Sequence, residues 1–288
     1  MFNFARRWLF ERRTFEMISS YRTIMLIHNY FESLKFNEEK ETVLIIDSLK
    51  EVSEYLGIPA SQIHELKGLI EYIYYDMAHY FYSIRCDGRV PEWITENRMQ
   101  WYLQAMADQV KILKWKTRMF RVPVEDGERT TVMDIGCGLM PFRPLFEQAN
   151  GMHKLTYIGI DKLPLAETTQ CKVTNESIED LLWQHYPEVV FFGNSLHCFG
   201  DAAFILQKIL HSTVKEVIIV DYKPKSPQGL LLSYHLDCHT KSWSNPTLES
   251  LTKLAEKNNR KLKVTYPSSQ HQMIKIGPMI RESNHYCG

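Results

Sequence analysis

The residues best placed to do chemistry begin at Asp134. An apolar pair, Val132-Met133, leads to this acid, and Gly136-Cys137-Gly138 follows it. Further on, a second apolar run, Tyr157-Ile158-Gly159-Ile160, ends in another acid, Asp161. The glycines let backbone approach a ligand closely, and an acid after the second run can take ribose hydroxyls. Strand, glycine turn, helix, strand, acid is how a chain grips an adenosine-containing cofactor. Pro141 stands where a G-x-G-x-x-G loop needs its third glycine. The Asp134 carboxylate would repel a pyrophosphate and attract a cationic ligand.

A second group of reactive types lies further along. Gly193-Asn194-Ser195-Leu196-His197-Cys198-Phe199 follows an apolar stretch. An imidazole titrates near neutral pH, so His197 can act as general base toward a hydroxyl or amine; the alternative is a site that only positions its nucleophile. Tyr234, His235, Asp237, Cys238 and His239 come later. His235 and His239 are spaced to share a helix face, and they are the reserve candidates for the base. Their spacing fixes no third metal ligand, so no metal is assigned; substrate contact, including Tyr234, is the preferred reading. Near the N-terminus, Tyr72, Tyr75, His79 and Tyr82 make an amphipathic face opposite an apolar one. Aromatics with polar tips suit a pocket wall, so Tyr75, His79 and Tyr82 are expected to touch the substrate. A helix buried on two sides would carry the same pattern.

Asp134-Ile135-Gly136-Cys137-Gly138, taken with Asp161, resembles the first motif of the class I S-adenosylmethionine-dependent methyltransferases. The 193–199 segment resembles their fourth motif, in which small or polar residues precede Leu-His. The resemblance spans about residues 130–277 and implies methyl transfer from bound S-adenosylmethionine, leaving S-adenosylhomocysteine. It implies cofactor contacts from Asp134, Gly136, Cys137, Gly138 and Asp161, from Ser177 and Ile178 near the adenine, and from Asn194 and Ser195 at the methionine end. Ser177 also reads as a plain helix N-cap. His197 would lie beside the transferred methyl. Met140 occupies a position where many members carry a third glycine. Within this resemblance the acceptor is expected to be a small molecule offering oxygen or nitrogen. A ribosomal-RNA methyltransferase of the aminoglycoside-resistance type is an alternative, because Gly138-Leu139-Met140-Pro141 is similar to the turn of those enzymes. Aminocarboxypropyl transfer or cyclisation of S-adenosylmethionine is another, and a non-catalytic binding protein a third.

These residues need elements to hold them. Residues 1–115 carry helical periodicity and are expected to form an all-helical cap or substrate domain, with helices near 38–56, 62–84 and 91–116. After Arg121-Val122-Pro123 the texture changes to strands alternating with helices, an α/β pattern with a parallel sheet. Strands are expected at 131–135, 155–160, 170–174, 188–193, 215–221, 261–266 and 272–276. The link between the final pair, 267–271, is too short for a helical crossover. That pair must form an antiparallel hairpin, closing a Rossmann-like doubly wound sheet over residues 116–288.

Composition narrows the setting. The 288 residues are 44% hydrophobic, enough for one large domain or two modest ones. The 34 basic and 34 acidic residues cancel, which argues against a polyanionic nucleic-acid partner. The six cysteines contain no C-x-x-C pair, so free thiols in a reducing cytosol are expected. The sequence contains no run long and apolar enough to cross a membrane. The expectation is a cytoplasmic enzyme with a small-molecule substrate and no membrane partner; a homodimer is left open.

Overall fold

The computed structural model describes residues 75, 79, 89–90, 92–124, 128–162, 171–199, 201–223 and 246–278. The chain divides into two compact units, Met1–Gln109 with Lys223–Ser242, and Val110–Tyr222 with Trp243–Gly288. In the first unit Tyr75 and His79 are helical, Tyr75 buried and His79 half-buried. Tyr82, Tyr234, His235, His239 and, apart from Tyr75 and His79, the helices expected before residue 85 lie outside the described residues. No described helix is long and apolar enough to cross a membrane.

The helix expected at 91–116 is α1, Glu92–Leu113. It gives way to a 3-10 helix, Lys114–Phe120, broken by non-helical dihedrals at Lys116. The break lets Leu113 and Phe120 both reach the second unit's core.

The second unit is built on seven strands: β1 Thr130–Ile135, β2 Leu155–Asp161, β3 Cys171–Val173, β4 Val189–Gly193, β5 Glu216–Tyr222, β6 Arg260–Thr265 and β7 His271–Pro278. Their order is β3-β2-β1-β4-β5-β7-β6. The first five strands are parallel, and β7 runs antiparallel to both β5 and β6. The expected hairpin is therefore present, and the expected strands agree with the observed ones to within a residue or two at most ends. His271 is the exception that matters. It was expected in the hairpin link, and it is instead the first residue of β7, paired with Tyr222.

Both faces of the sheet are covered, which is why β4 reads Val189-Val190-Phe191-Phe192 without alternation and every one of these side chains is buried. On one face Met133, Val190, Ile219 and Ile276 pack with Leu181, Leu206 and Leu251. These come from helices α3 Ile178–His185, α4 Ala202–Leu210 and α5 Leu248–Lys257. On the other face Val132, Ile218 and Met273 pack beneath Phe120, Phe142, Phe146 and Phe191. Phe146 belongs to α2, Arg143–Asn150, and its ring meets Phe191 edge-on at 4.9 Å and Phe120 at 5.2 Å. Such edge-to-face pairs add about 0.5–1.5 kcal/mol each beyond their buried area.

From β1 the chain moves outward to β2 and β3, then returns to β4 on the other side of β1. The reversal opens a crevice above the carboxyl ends of β1 and β4, where ligands bind in sheets of this kind.

Candidate cofactor and proton-transfer site

The turn after β1 is fastened to its neighbours by short-range geometry. Gly136 and Gly138 have φ of 70° and 50°, a left-handed conformation that glycine adopts without a Cβ clash. The Gly136 and Cys137 amides donate to the Ile160 carbonyl at 2.8 and 3.1 Å. The Gly138 amide donates to Asp161 Oδ2 at 2.7 Å. The two halves of the motif read from the sequence thus meet at the carboxyl edge of the sheet.

Three glycines near the carboxyl ends of β1, β2 and β4 leave room for neighbouring side chains. A Cβ on Gly136 would lie 2.6 Å from Ser195 Cβ, one on Gly193 would lie 2.5 Å from the Phe142 ring, and one on Gly159 would lie 2.5 Å from Met140 Sδ. Met140 holds φ of 55°, a left-handed backbone more usual for glycine. Its side chain is buried in the space that Gly159 leaves open.

Asp134 is buried, and its Oδ2 accepts the Tyr157 hydroxyl at 2.6 Å. Its Oδ1 is buried without a hydrogen-bond partner. Burial raises the Asp134 pKa most, the Tyr157 hydrogen bond opposes it, and the nearby Asp161 charge adds to it; the result is about 7. Tyr157 is pushed well above the usual tyrosine range by burial and then by Asp134.

Ser195 is buried and donates to the Ile135 carbonyl at 2.5 Å, so its hydroxyl fastens the end of β1 to the loop after β4. Asn194 beside it has φ of 54° and gives its amide to the Val220 carbonyl at 2.9 Å. Cys137 is buried under the glycine turn. Ser177 caps α3: its Oγ accepts the Asp180 amide at 3.2 Å and donates to the Asp180 carboxylate at 2.7 Å. Ile178 begins that helix, half-buried, just past the end of β3.

His197 lies in a 3-10 turn, Leu196–Cys198, immediately after β4. Its Nδ1 faces Asp221 Oδ2 at 3.6 Å, and both side chains are buried. Burial works to lower the His197 pKa, but the Asp221 hydrogen bond and Cys198 outweigh it and raise the value to about 10. Asp221 Oδ1 accepts the Tyr222 amide at 2.7 Å. Asp221 is the last residue of the strand expected at 215–221, and the sequence analysis gives it no role. The only local signal was an acid at a carboxyl strand end, at the edge where His197 also falls.

No protein-family model matches the chain, and no curated protein matches it in sequence. Solved structures share its fold. The structure of the CurJ carbon methyltransferase is 12% identical, with a TM-score of 0.52 over 80% of this chain and 70% of that one. An O-methyltransferase family protein from Burkholderia thailandensis is 12% identical, with a TM-score of 0.51 over 94% of this chain and 96% of that one. The strand order and these likenesses give the chain the Rossmann-like fold of these two methyltransferase structures.

Proposed function

We propose that the chain is an S-adenosylmethionine-dependent methyltransferase acting on a small-molecule oxygen or nitrogen acceptor. The observation that carries this reading is the 2.7 Å hydrogen bond from Gly138 to Asp161, which joins glycine turn and acid at the sheet's reversal point. The donor set also fits the cofactor. Residues 134–142 contain two glycines, the buried Asp134 and no lysine or arginine, which favours a cationic ligand over a pyrophosphate. The two structures of like fold are named as a carbon methyltransferase and an O-methyltransferase family protein, in keeping with the reaction class.

Asp161 would hold the ribose hydroxyls, and the Gly136–Gly138 backbone would lie along the cofactor. Asn194 and the loop it begins would adjoin the methionine end. Bound S-adenosylmethionine supplies a methyl group made electrophilic by its sulfonium. The protein's part is to align the acceptor and exclude water. An O–H or N–H acceptor must also give up a proton, and His197 Nε2 is the atom assigned to receive it. Asp221 holds Nδ1, which leaves Nε2 for this task, as in other carboxylate–imidazole pairs. With a pKa of about 10, His197 is a strong base that is mostly protonated at rest. The free imidazole, which is the reactive form, therefore grows as pH rises. The acceptor-binding role of Tyr75, His79, Tyr82 and Tyr234, drawn from sequence, belongs to the same proposal.

The test is calorimetric titration with S-adenosylhomocysteine, then incubation of the protein and S-adenosylmethionine with a panel of phenols, alcohols, amines and carboxylic acids. A saturable titration and a product heavier by one CH2 are expected. Folded protein that does not bind S-adenosylhomocysteine overturns the reading.

A further inference from the structure

His271 is a buried titratable side chain at this end of the sheet that the proposed reaction does not use. His271 opens β7, pairs with Tyr222 across the ladder, and is fully buried. Ser268 Oγ accepts the amides of Gln270 and His271, each at 3.1 Å, and lies 2.8 Å from His271 Nδ1. With both lone pairs of the hydroxyl engaged, its proton points at Nδ1, which places the ring's own proton on Nε2. That Nε2 is buried without a hydrogen-bond partner. The ring packs against Tyr222, centroids 4.7 Å apart and planes 35° apart. Tyr222 in turn gives its amide to Asp221, whose other oxygen faces His197.

Packing alone does not account for a histidine here. A phenyl ring would fill the same space and leave no orphaned N–H, and unsatisfied buried donors in native proteins tend to mark function. We propose that His271 is a positioning residue: locked by Ser268, its ring holds Tyr222 and the end of β5, and thereby sets the Asp221 carboxylate against His197. This rests on the reading of His197 as the proton acceptor. Among the described residues, Asp221 from β5 and Cys198 from its own turn bear on His197. On His271, among the described residues, the Asp221 charge bears and the Tyr222 phenol ring packs against it. Burial drives the His271 pKa down to about 4 against the Asp221 charge. The ring therefore stays neutral at working pH, and the carboxylate's charge is left for His197.

The experiment follows the His197 imidazole by NMR in the full chain labelled at histidine, its resonance assigned by loss in His197→Ala. Its titration is compared in the parent, Ser268→Ala and His271→Gln, with S-adenosylhomocysteine affinity measured on each. The expected result is a His197 pKa lowered by about one unit in both variants, with cofactor affinity unchanged and the pH dependence of kcat displaced by the same amount. A His197 titration that stays put in a folded variant overturns the proposal. If His271→Gln does not fold, Ser268→Ala decides, since it frees the ring without emptying its space. Failure of the parent to bind S-adenosylhomocysteine would instead overturn the methyltransferase reading, and the NMR comparison would still judge the positioning role.

Discussion

Ser195 Cβ stands 2.6 Å from the point where a side chain on Gly136 would begin. The loop after β4 thus closes over the turn after β1, and the Ser195 hydroxyl holds the Ile135 carbonyl beneath it. The glycine is required twice, by this approach and by its φ of 70°.

Gly136→Ala is expected to destabilise the fold by about 1–3 kcal/mol, from left-handed strain and displacement of Ser195. It should also abolish S-adenosylhomocysteine binding. Urea denaturation and calorimetry check the two effects separately. Unchanged affinity would show that the turn does not touch the cofactor.

Asp161→Ala removes both the proposed ribose acceptor and the partner of the Gly138 amide. Hydrogen bonds to a charged group contribute about 1.5–3 kcal/mol, so affinity for S-adenosylhomocysteine should fall roughly tenfold to a hundredfold. Asp161 is half-buried at the strand end, and the protein should remain folded. Calorimetry alongside circular dichroism distinguishes a binding defect from an unfolded chain.

His197→Ala should lower single-turnover methyl transfer by about 10²–10⁴-fold while sparing cofactor affinity. In the parent, the rate should climb with pH toward a limb near the His197 value of about 10. Asp221→Asn removes the acid that holds the imidazolium, so the limb should move to lower pH. A flat profile in the parent would mean that the enzyme works by positioning alone.

Two buried groups should tilt stability in opposite directions. His271 has a folded pKa near 4 against an ordinary 6.5, so the unfolded chain binds more protons between those values. Stability from this residue is complete above pH 6.5 and is lost as pH falls toward 4, by roughly 3 kcal/mol. Asp134 is raised from 3.8 to about 7, so its contribution is present below 3.8 and lost as pH rises through 7. Because the two oppose each other, the parent alone is uninformative. Denaturation of His271→Phe should lose the first slope, and Asp134→Asn the second.

What could be read from the sequence was whatever is local along the chain. The strands followed from short apolar runs, and the final hairpin from a link too short for a crossover. The glycine turn and Asp161 followed from a motif whose spacing is set by one strand-turn-helix-strand unit. The Ser177 cap was readable because its partner, Asp180, is three residues away. The contacts that were missed join distant positions. Ser195 bonds Ile135 across 60 residues. Asp221 meets His197 because two parallel strands end side by side. His271 looked like part of a link because nothing in its neighbours' types shows that Ser268 will fold back to orient it. The break at Lys116 was likewise invisible, since it answers the demand of Leu113 and Phe120 for one core.

Met140 and Gly159 occupy a single volume, the thioether of one filling the hollow left by the other. Neither position can drift alone. A methyl group at 159 would strike the sulfur, and a glycine at 140 would leave a void in a buried layer. A methionine at 140 therefore requires the second strand to stay bare at 159. The two positions are thus sterically coupled, so Gly159→Ala should be tolerated better when a smaller side chain replaces Met140 than when it stands alone.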